Sequence, residues 1–112
     1  MPDDCLFCKI VAGELPADVV LDTDDVLAFR DLAPKAPTHV LVIPKRHLVD
    51  VGELAAYPDT AAAVLAGVRQ TVDKLGLDSY RTVFNTGVEA GQTVFHVHAH
   101  VLSGRGMTWP PG

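Results

Sequence analysis

Short apolar runs separated by turn residues make up most of the chain. Two such runs in the segment DVVLDTDDVLAFRDL flank the turn residues between Asp22 and Asp25, which predicts a β-hairpin. The next run, HVLVIPK, is rich in β-branched residues and is stopped by Pro44, so it predicts a third strand. Two later segments, YRTVFNTG and TVFHVHAHVL, predict a fourth and a fifth strand.

Helical periodicity appears near the start and in the middle of the chain. The segment DDCLFCKIVAG begins with acidic residues and ends in glycine, which predicts a short helix. A long helix is predicted from Pro58 to Leu75, with Asp59 or Thr60 near its cap and Gly76 past its end. Its apolar positions recur at helical spacing, at Val64, Leu65, Val68, Val72 and Leu75. Successive strands with one long helix inserted predict an α+β fold with a mainly antiparallel sheet of about five strands.

Length, composition and charge limit the classes of protein to consider. The 112 residues suffice for one modest core, so a single domain is expected over residues 1–112. Apolar residues make up 48 %, which favours a folded chain, and the net charge of −5 argues against a partner that is nucleic acid or an anionic membrane. The first residues lack the pattern of a signal peptide, and no apolar run reaches roughly 18 residues, so we expect a cytoplasmic protein.

Three histidines stand at every second position of the last predicted strand, at His96, His98 and His100. Because side chains alternate across a strand, these rings share one face and stand about 6.5–7 Å from their neighbours. That spacing suits two ligands of one metal ion, or a row in which the central imidazole attacks and its neighbours position or protonate. A merely polar sheet face is the third interpretation.

The loop before this strand, NTGVEAGQT, is rich in glycine and in small polar residues. Glycines let backbone N–H groups approach an anion, and Asn, Gln and Thr side chains add polar contacts, so the loop is a candidate phosphate cradle. An ordinary hairpin loop has the same composition. The chain lacks both G-x-x-x-x-G-K-[ST] and G-x-G-x-x-G, which argues against a P-loop or a dinucleotide-binding fold.

The segment HVHAHVL follows the pattern of the histidine-triad (HIT) family of nucleotide hydrolases and transferases. The segments LAFRDLAPKAPTHVLVIPKRH, GQTVFHVHAHVL and GRGMTWPPG resemble the HINT branch of that family, the nucleoside phosphoramidases, and the resemblance runs from about Cys5 to Gly112. It implies a HIT-like fold that forms a homodimer by joining two sheets into a continuous one. It also implies cleavage of the P–N bond of purine nucleoside 5′-monophosphoramidates, and of aminoacyl adenylates by extension, through a covalent nucleotidyl-histidine.

The resemblance assigns a role to each matching side chain. His98 matches the nucleophile, His100 and His39 match the flanking histidines that contact phosphate or protonate the leaving amine, and Thr93 matches a hydroxyl near the scissile nitrogen. The nucleotide-binding positions are Asn85, Gly91, Gln92 and Thr93 for phosphate, Asp31 with Leu32 for ribose, Phe7, Ile10 and Leu15 for the purine, and Trp109 in the C-terminal tail. The expected ligand is a purine nucleotide such as AMP or adenosine phosphoramidate.

The pair Cys5-x-x-Cys8 taken alone is compatible with a disulfide, a redox pair or half of a metal site. Similar bacterial HIT proteins combine two such cysteines with two histidines, which here match His47 and His96. The resemblance therefore implies a structural zinc site, since four protein ligands fill a tetrahedral ion, and it requires no catalytic metal.

Three other functions compete with a phosphoramidase. A dinucleoside polyphosphate hydrolase of the same superfamily would share the triad, although the tail SGRGMTWPPG resembles the HINT branch. A zinc hydrolase would use the triad to hold a catalytic ion. A nucleotide-binding interaction module would bind the same ligand while its catalysis is incidental.

Overall fold

The structure is a computed structural model and describes residues 4–112. Its elements, in chain order, are α1 (Leu6–Val11), β1 (Val19–Asp22), β2 (Val26–Arg30), β3 (Thr38–Pro44), α2 (Val51–Leu54), α3 (Pro58–Leu75), β4 (Arg81–Val83) and β5 (Ala99–Ser103). The strands form one sheet in the order β1-β2-β3-β5-β4, and every neighbouring pair in the described chain is antiparallel. The predicted α+β class, the five strands and both helices are confirmed.

Helix α3 covers one face of the sheet. Val64, Val68 and Val72 on the helix lie in the larger of two apolar clusters together with Val101 on β5 and Val97 just before it. Gly67 brings the helix backbone close to the sheet, because a Cβ atom there would lie 3.0 Å from Val26 Cγ2 and 3.1 Å from Val42 Cγ1. The helix ends at Gly76, which has a left-handed φ of 66° as expected for a glycine cap.

Helix α3 starts where the sequence predicts, but no side chain caps it. Tyr57 is the N-cap and makes no side-chain capping bond, while Pro58 occupies the first turn, so neither Asp59 nor Thr60 caps the helix. Proline suits this place since its missing N–H would have no partner within the helix.

Helix α1 covers the opposite face of the sheet. Phe7 and Cys8 of the helix pack with Leu27, Phe29 and Leu41 in the second apolar cluster. The N-cap is Cys5, whose Sγ accepts the backbone N–H of Cys8 at 3.4 Å. A six-residue helix has little stability of its own, so its position depends on these contacts with the sheet.

Strand β5 begins later than the sequence predicts. Only the end of the expected strand TVFHVHAHVL forms a regular β-strand, and its pairing with β3 starts at the Ala99–Val42 pair. Before that point Val97 N–H donates to Leu48 O at 2.7 Å, and the His96 ring, instead of a backbone N–H, contacts the carbonyl of Pro44. The alternation of side chains nevertheless persists, since Val97 and Ala99 face α3.

The short helix α2 was not predicted. Its cap is Asp50, whose Oδ1 accepts the N–H of Glu53 at 2.9 Å, and Glu53 Oε1 accepts the N–H of Val49 at 2.9 Å. The sequence D-x-x-E carries this capping signal. Between residues 4 and 112, no helix is long and apolar enough to cross a membrane.

Candidate active site and metal cluster

His98 is buried at the start of β5, with 7 % of its surface exposed. Its Nδ1 lies 2.8 Å from the carbonyl oxygen of His96, and since a carbonyl only accepts, Nδ1 carries the proton. Burial lowers the pKa of His98, although the bond to the His96 carbonyl and the charge of Asp31 oppose this shift. The ring is therefore neutral at pH 7 and its Nε2 holds a free lone pair.

His100 and His39 lie side by side on the same face of the sheet, on β5 and β3. His39 Nε2 is 2.9 Å from His100 Nδ1, and the His100 ring centroid is 4.9 Å from that of His98. Burial, together with the neighbouring His98 and His39, lowers the pKa of His100 to about 4, against the raising effect of Asp31. Burial also lowers the pKa of His39, against the raising effect of Asp31. All three rings are thus neutral at pH 7.

A cavity of about 240 Å³ opens beside these histidines, between α1 and the sheet. His98, His100 and Thr93 line one part of it, and Asp31 with Leu32 lines another. Its apolar lining consists of Leu6, Phe7, Ile10, Pro16, Ala17, Phe29, Leu41 and Val94. An apolar pocket that meets a few polar groups suits a small ligand with a flat, uncharged part and a charged end.

Two of the three residues expected to contact a purine line this cavity. Phe7 and Ile10 line the cavity, and the Phe7 ring stands edge-on to the His98 ring with 5.1 Å between centroids. Leu15 lies outside the lining, because the chain turns after α1 and presents Pro16 and Ala17 instead.

Asp31 stands at the end of β2 with its two carboxylate oxygens in different surroundings. Oδ1 accepts the N–H of Ala33 at 2.8 Å, and Oδ2 lies 3.5 Å from His39 Nε2. The carboxylate is half-buried and lines the cavity, so lone pairs remain for hydroxyl groups of a ligand. Leu32 next to it is 98 % exposed and lies at the rim.

In the loop 85–93, several hydrogen-bond donors have partners within the chain. Gln92 is buried, its Oε1 accepts Gly87 N–H at 2.9 Å, and its Nε2 donates to Val49 O at 2.8 Å and to Val94 O at 3.2 Å. The backbone N–H groups of Gly91 and Gln92 donate to Val88 O and Gly87 O, each at 3.0 Å. These donors are all bound within the chain, and the phosphate contacts of Gly91 and of the Gln92 side chain stay predictions.

Asn85 and Trp109 lie away from the cavity that His98 lines. Asn85 lines a separate surface groove with Met107 and other residues of the C-terminal tail. Trp109 is 83 % exposed in that tail, and Arg81 Nη2 donates to Thr108 O beside it at 3.1 Å.

A second cluster of side chains, formed by Cys5, Cys8, His47 and His96, lies where α1 meets the sheet. His96 Nδ1 is 3.5 Å from each sulfur, His47 Nδ1 is 3.3 Å from Cys8 Sγ, and the two Nδ1 atoms are 3.2 Å apart. Zinc bonds of about 2.0–2.1 Å to nitrogen and about 2.3 Å to sulfur place the corners of a tetrahedron about 3.3–3.8 Å apart. The separations match those corners to within a few tenths of an ångström.

The protonation of this cluster also fits a metal ion. His96 is fully buried and donates its Nε2–H to the carbonyl of Pro44 at 2.8 Å, so the lone pair of Nδ1 points at the two sulfurs. Burial lowers the pKa of His96 to about 4, which keeps the ring neutral as a ligand must be. Burial and the neighbouring Cys5 raise the pKa of the Cys8 thiol to about 11, and a bound cation would displace its proton.

The sequence profile of the HIT domain matches residues 12–107, which contain all five histidines. The chain belongs to the HIT domain family. An uncharacterized HIT-like protein of Synechococcus elongatus is 46 % identical over 114 residues, covering 100 % of both chains. A 14 kDa zinc-binding protein of Brassica juncea is 40 % identical over 113 residues, covering 97 % of this chain and 100 % of the relative. The crystal structure of a HIT family hydrolase from Legionella pneumophila Philadelphia 1 superposes with a TM-score of 0.92 at 46 % identity, covering 97 % of this chain and 100 % of that one.

The HIT profile begins after α1. His47 and His96 of the cluster therefore lie inside the matched HIT region, whereas Cys5, Cys8 and the cavity residue Phe7 precede it. The cluster joins these two parts of the chain and thereby sets where one wall of the cavity stands.

Proposed function

We propose that the chain is a nucleotide hydrolase that cleaves the P–N bond of purine nucleoside 5′-monophosphoramidates through a nucleotidyl-His98 intermediate. HIT family hydrolases among its structural relatives support hydrolysis as the reaction class. One observation carries the proposal: His98 offers an unprotonated Nε2 in the cavity while its Nδ1–H is held by the His96 carbonyl. A neutral imidazole oriented in this way is a nucleophile at neutral pH without a separate base.

The reaction proceeds in two displacements at phosphorus. In the first, the Nε2 lone pair of His98 forms a bond to the α-phosphorus, the P–N bond breaks, and the amine departs with a proton taken up from solvent while His100 Nε2–H donates a hydrogen bond to it. In the second, water attacks phosphorus, the bond to His98 breaks, and the proton of the water is released to solvent. The products are AMP and a free amine, and both histidines regain their starting states. Thr93, at the same part of the cavity, supplies a hydroxyl near the departing nitrogen.

The remainder of the cavity supports a purine nucleoside as the ligand. Its apolar walls at Phe7 and Ile10 accept a flat base by stacking and shape, so discrimination between purines is expected to be small. The Asp31 carboxylate accepts hydrogen bonds from ribose hydroxyls.

The decisive test is intact-mass analysis after brief incubation with an adenosine phosphoramidate. The wild type is expected to gain one AMP, and His98→Asn, which keeps a hydrogen-bonding side chain of similar shape, is expected to gain none. Unfolding of the variant at the wild-type temperature serves as the control for its fold. An adduct that persists in His98→Asn refutes the assignment of the nucleophile.

A dinucleoside polyphosphate hydrolase is the second candidate, and the leaving group separates the two. An amine must be protonated to leave, whereas a phosphate leaves as an anion, so the proton on His100 matters more for P–N cleavage. We expect turnover of adenosine phosphoramidate to exceed that of diadenosine triphosphate, and to be the more sensitive of the two to His100→Asn.

We also propose a structural zinc ion held by Cys5, Cys8, His47 and His96. It would fix α1 against the sheet, and the complete donor set leaves no position for a reacting water. The likeness to a zinc-binding relative supports this ligand. Two unpaired thiols suit a reducing compartment, so the cytoplasmic location stays our prediction.

A homodimer remains part of the proposal. Leu65 on α3 and Trp109 in the tail are 60 % and 83 % exposed, and β4 is an edge strand of three residues. Large apolar side chains beside an unpaired strand edge suit burial against a second copy. Sedimentation velocity tests this directly, with Trp109→Ala expected to weaken any dimer.

A further inference from the structure

We propose that the backbone N–H of Lys35 sets the tautomers of His39 and His100, which makes His39 a positioning residue instead of a phosphate ligand. The inference rests on the proposed function for one point, the hydrogen bond that His100 Nε2–H donates to the leaving amine. It concerns a backbone group in the loop between β2 and β3 to which the sequence assigned no role.

The first bond of this relay fixes His39. Lys35 N lies 3.0 Å from His39 Nδ1, and a peptide N–H can only donate. His39 Nδ1 must then be unprotonated, so the neutral ring carries its proton on Nε2. Asp31 Oδ2, 3.5 Å from that Nε2, is a negative charge that favours a proton at the same place.

The second bond passes the constraint to His100. His39 Nε2–H donates to His100 Nδ1 at 2.9 Å, so the Nδ1 of His100 accepts and its own proton sits on Nε2. His100 lines the cavity and His39 does not. The ring that meets the ligand is therefore presented as a donor, and both nitrogens of His39 are used within the protein.

The result is that neighbouring triad rings are held in opposite tautomers. The His96 carbonyl keeps the proton of His98 on Nδ1, whereas the relay from Lys35 keeps that of His100 on Nε2. One ring thus offers a lone pair and the next offers a hydrogen-bond donor, which suits a displacement at phosphorus with an amine leaving group.

Residues from the end of β5 hold the Lys35 peptide in place. Arg105 Nε donates to Lys35 O at 3.0 Å, and Lys35 Nζ donates to Ala33 O at 2.9 Å. Gly104 has a φ of 98°, and a Cβ atom there would lie 2.8 Å from Pro37 Cβ, so the turn after β5 packs directly on this loop. The strand that carries His100 therefore also anchors the loop that orients it.

The same relay argues against a metal ion at Asp31, His39 and His100, whose side chains are close enough to share one. Binding would need a lone pair on His39 Nε2, but the proton must stay there while Lys35 N–H points at Nδ1. A zinc hydrolase built on these three residues is therefore disfavoured.

The test begins with the ring nitrogens, which need no substrate. In wild-type protein labelled with 15N-histidine at pH 7.5, long-range 15N–1H correlation spectra are expected to show an unprotonated Nδ1 and a protonated Nε2 for both His39 and His100. The key variant replaces Lys35 by its α-hydroxy acid, which turns the amide into an ester and removes only the N–H. Lys35→Ala keeps the N–H and removes only the Nζ contact to Ala33 O, so it is expected to change the ring signals less than the ester does.

In the ester variant the His39 signals are expected to move towards a mixture of tautomers. The rate of nucleotidyl-His98 formation is expected to fall about 3- to 10-fold, the bias that one ordinary hydrogen bond gives, with KM little changed. Arg105→Ala is expected to move the His39 signals in the same direction as the ester variant does, but by a smaller amount. Arg105→Lys is expected to move them less than Arg105→Ala.

Two results would overturn the relay: a protonated His39 Nδ1 in the wild type, or an ester variant with wild-type signals and rate. The proposed function fails separately. If the tautomers are as described but no nucleotidyl adduct forms, the reaction is wrong and the orientation of the rings stands.

Discussion

The neutrality of His100 can be tested through the pH dependence of stability. Its ring is half-buried, and the groups that face it are His98, His39 and Asp31. Burial and the two histidines lower its pKa to about 4 from an ordinary 6.5, against the opposing effect of Asp31. His100→Gln removes the titrating group and keeps a side chain that can hydrogen-bond.

The direction in which stability changes with pH depends on whether the folded or the unfolded chain protonates His100 more readily. The unfolded chain protonates near pH 6.5 and the folded chain only near pH 4, so this ring costs no stability above pH 6.5. As the pH falls below that value, the unfolded chain gains protons first and the free energy of unfolding decreases. The difference amounts to about 2 kcal/mol at pH 5, and screening at a partly exposed site reduces it to roughly 1 kcal/mol.

Urea unfolding at pH 7.5 and at pH 5 measures this difference. The wild type is expected to lose about 1 kcal/mol more than His100→Gln between the two values, because the other titrating groups are common to both proteins. Equal losses in the two proteins would show that His100 is not held neutral by the fold. The relay through His39 would then lack the acceptor that it needs.

Three further changes test other parts of the structure. Cys8→Ala is expected to reduce the zinc content of purified protein from one equivalent per chain to almost none and to weaken AMP binding, as measured by metal analysis and calorimetry; full zinc content would contradict the cluster. Gln92→Ala leaves the buried N–H of Gly87 without its acceptor and is expected to lower the free energy of unfolding by about 1–3 kcal/mol; unchanged stability with weaker AMP binding would instead favour a phosphate contact. Gly67→Ala is expected to cost about 1–3 kcal/mol through overpacking against the sheet, whereas Ala66→Ser on the exposed side should unfold at nearly the wild-type urea concentration.

Hydrophobic periodicity predicted those helices and strands that bury apolar residues at regular spacing along the chain. The long helix was predicted with its bounds, because its apolar spacing extends over 18 residues and a glycine ends it. The start of β5 was not, since it depends on residues far away in the chain: Pro44 offers no N–H for pairing, and Leu48 takes the N–H of Val97. Such long-range pairing leaves no periodic signal in the sequence.

In the candidate site, too, local sequence patterns predicted some features, and contacts between distant residues determined the others. Alternation along HVHAHVL was enough to place the histidines together opposite Val97 and Ala99, and the resemblance added His39 and the cysteines. Residue type alone did not predict the contacts of Gln92, because an amide that suits phosphate equally suits the backbone groups of its own loop. No sequence pattern marks the Lys35 N–H, because every residue except proline has a backbone N–H.

The contacts of His96 show why the three alternating histidines have different roles. Its Nδ1 faces the cysteines, its Nε2–H is bound to Pro44 O, and its carbonyl accepts the Nδ1–H of His98. A change in the metal cluster that rotates His96 would move its carbonyl oxygen, which accepts the Nδ1–H of the nucleophile His98. This hydrogen bond would change before any contact with the ligand. Loss of the metal should therefore slow the chemical step as well as loosen the wall at Phe7, whereas a change confined to that wall should affect binding alone.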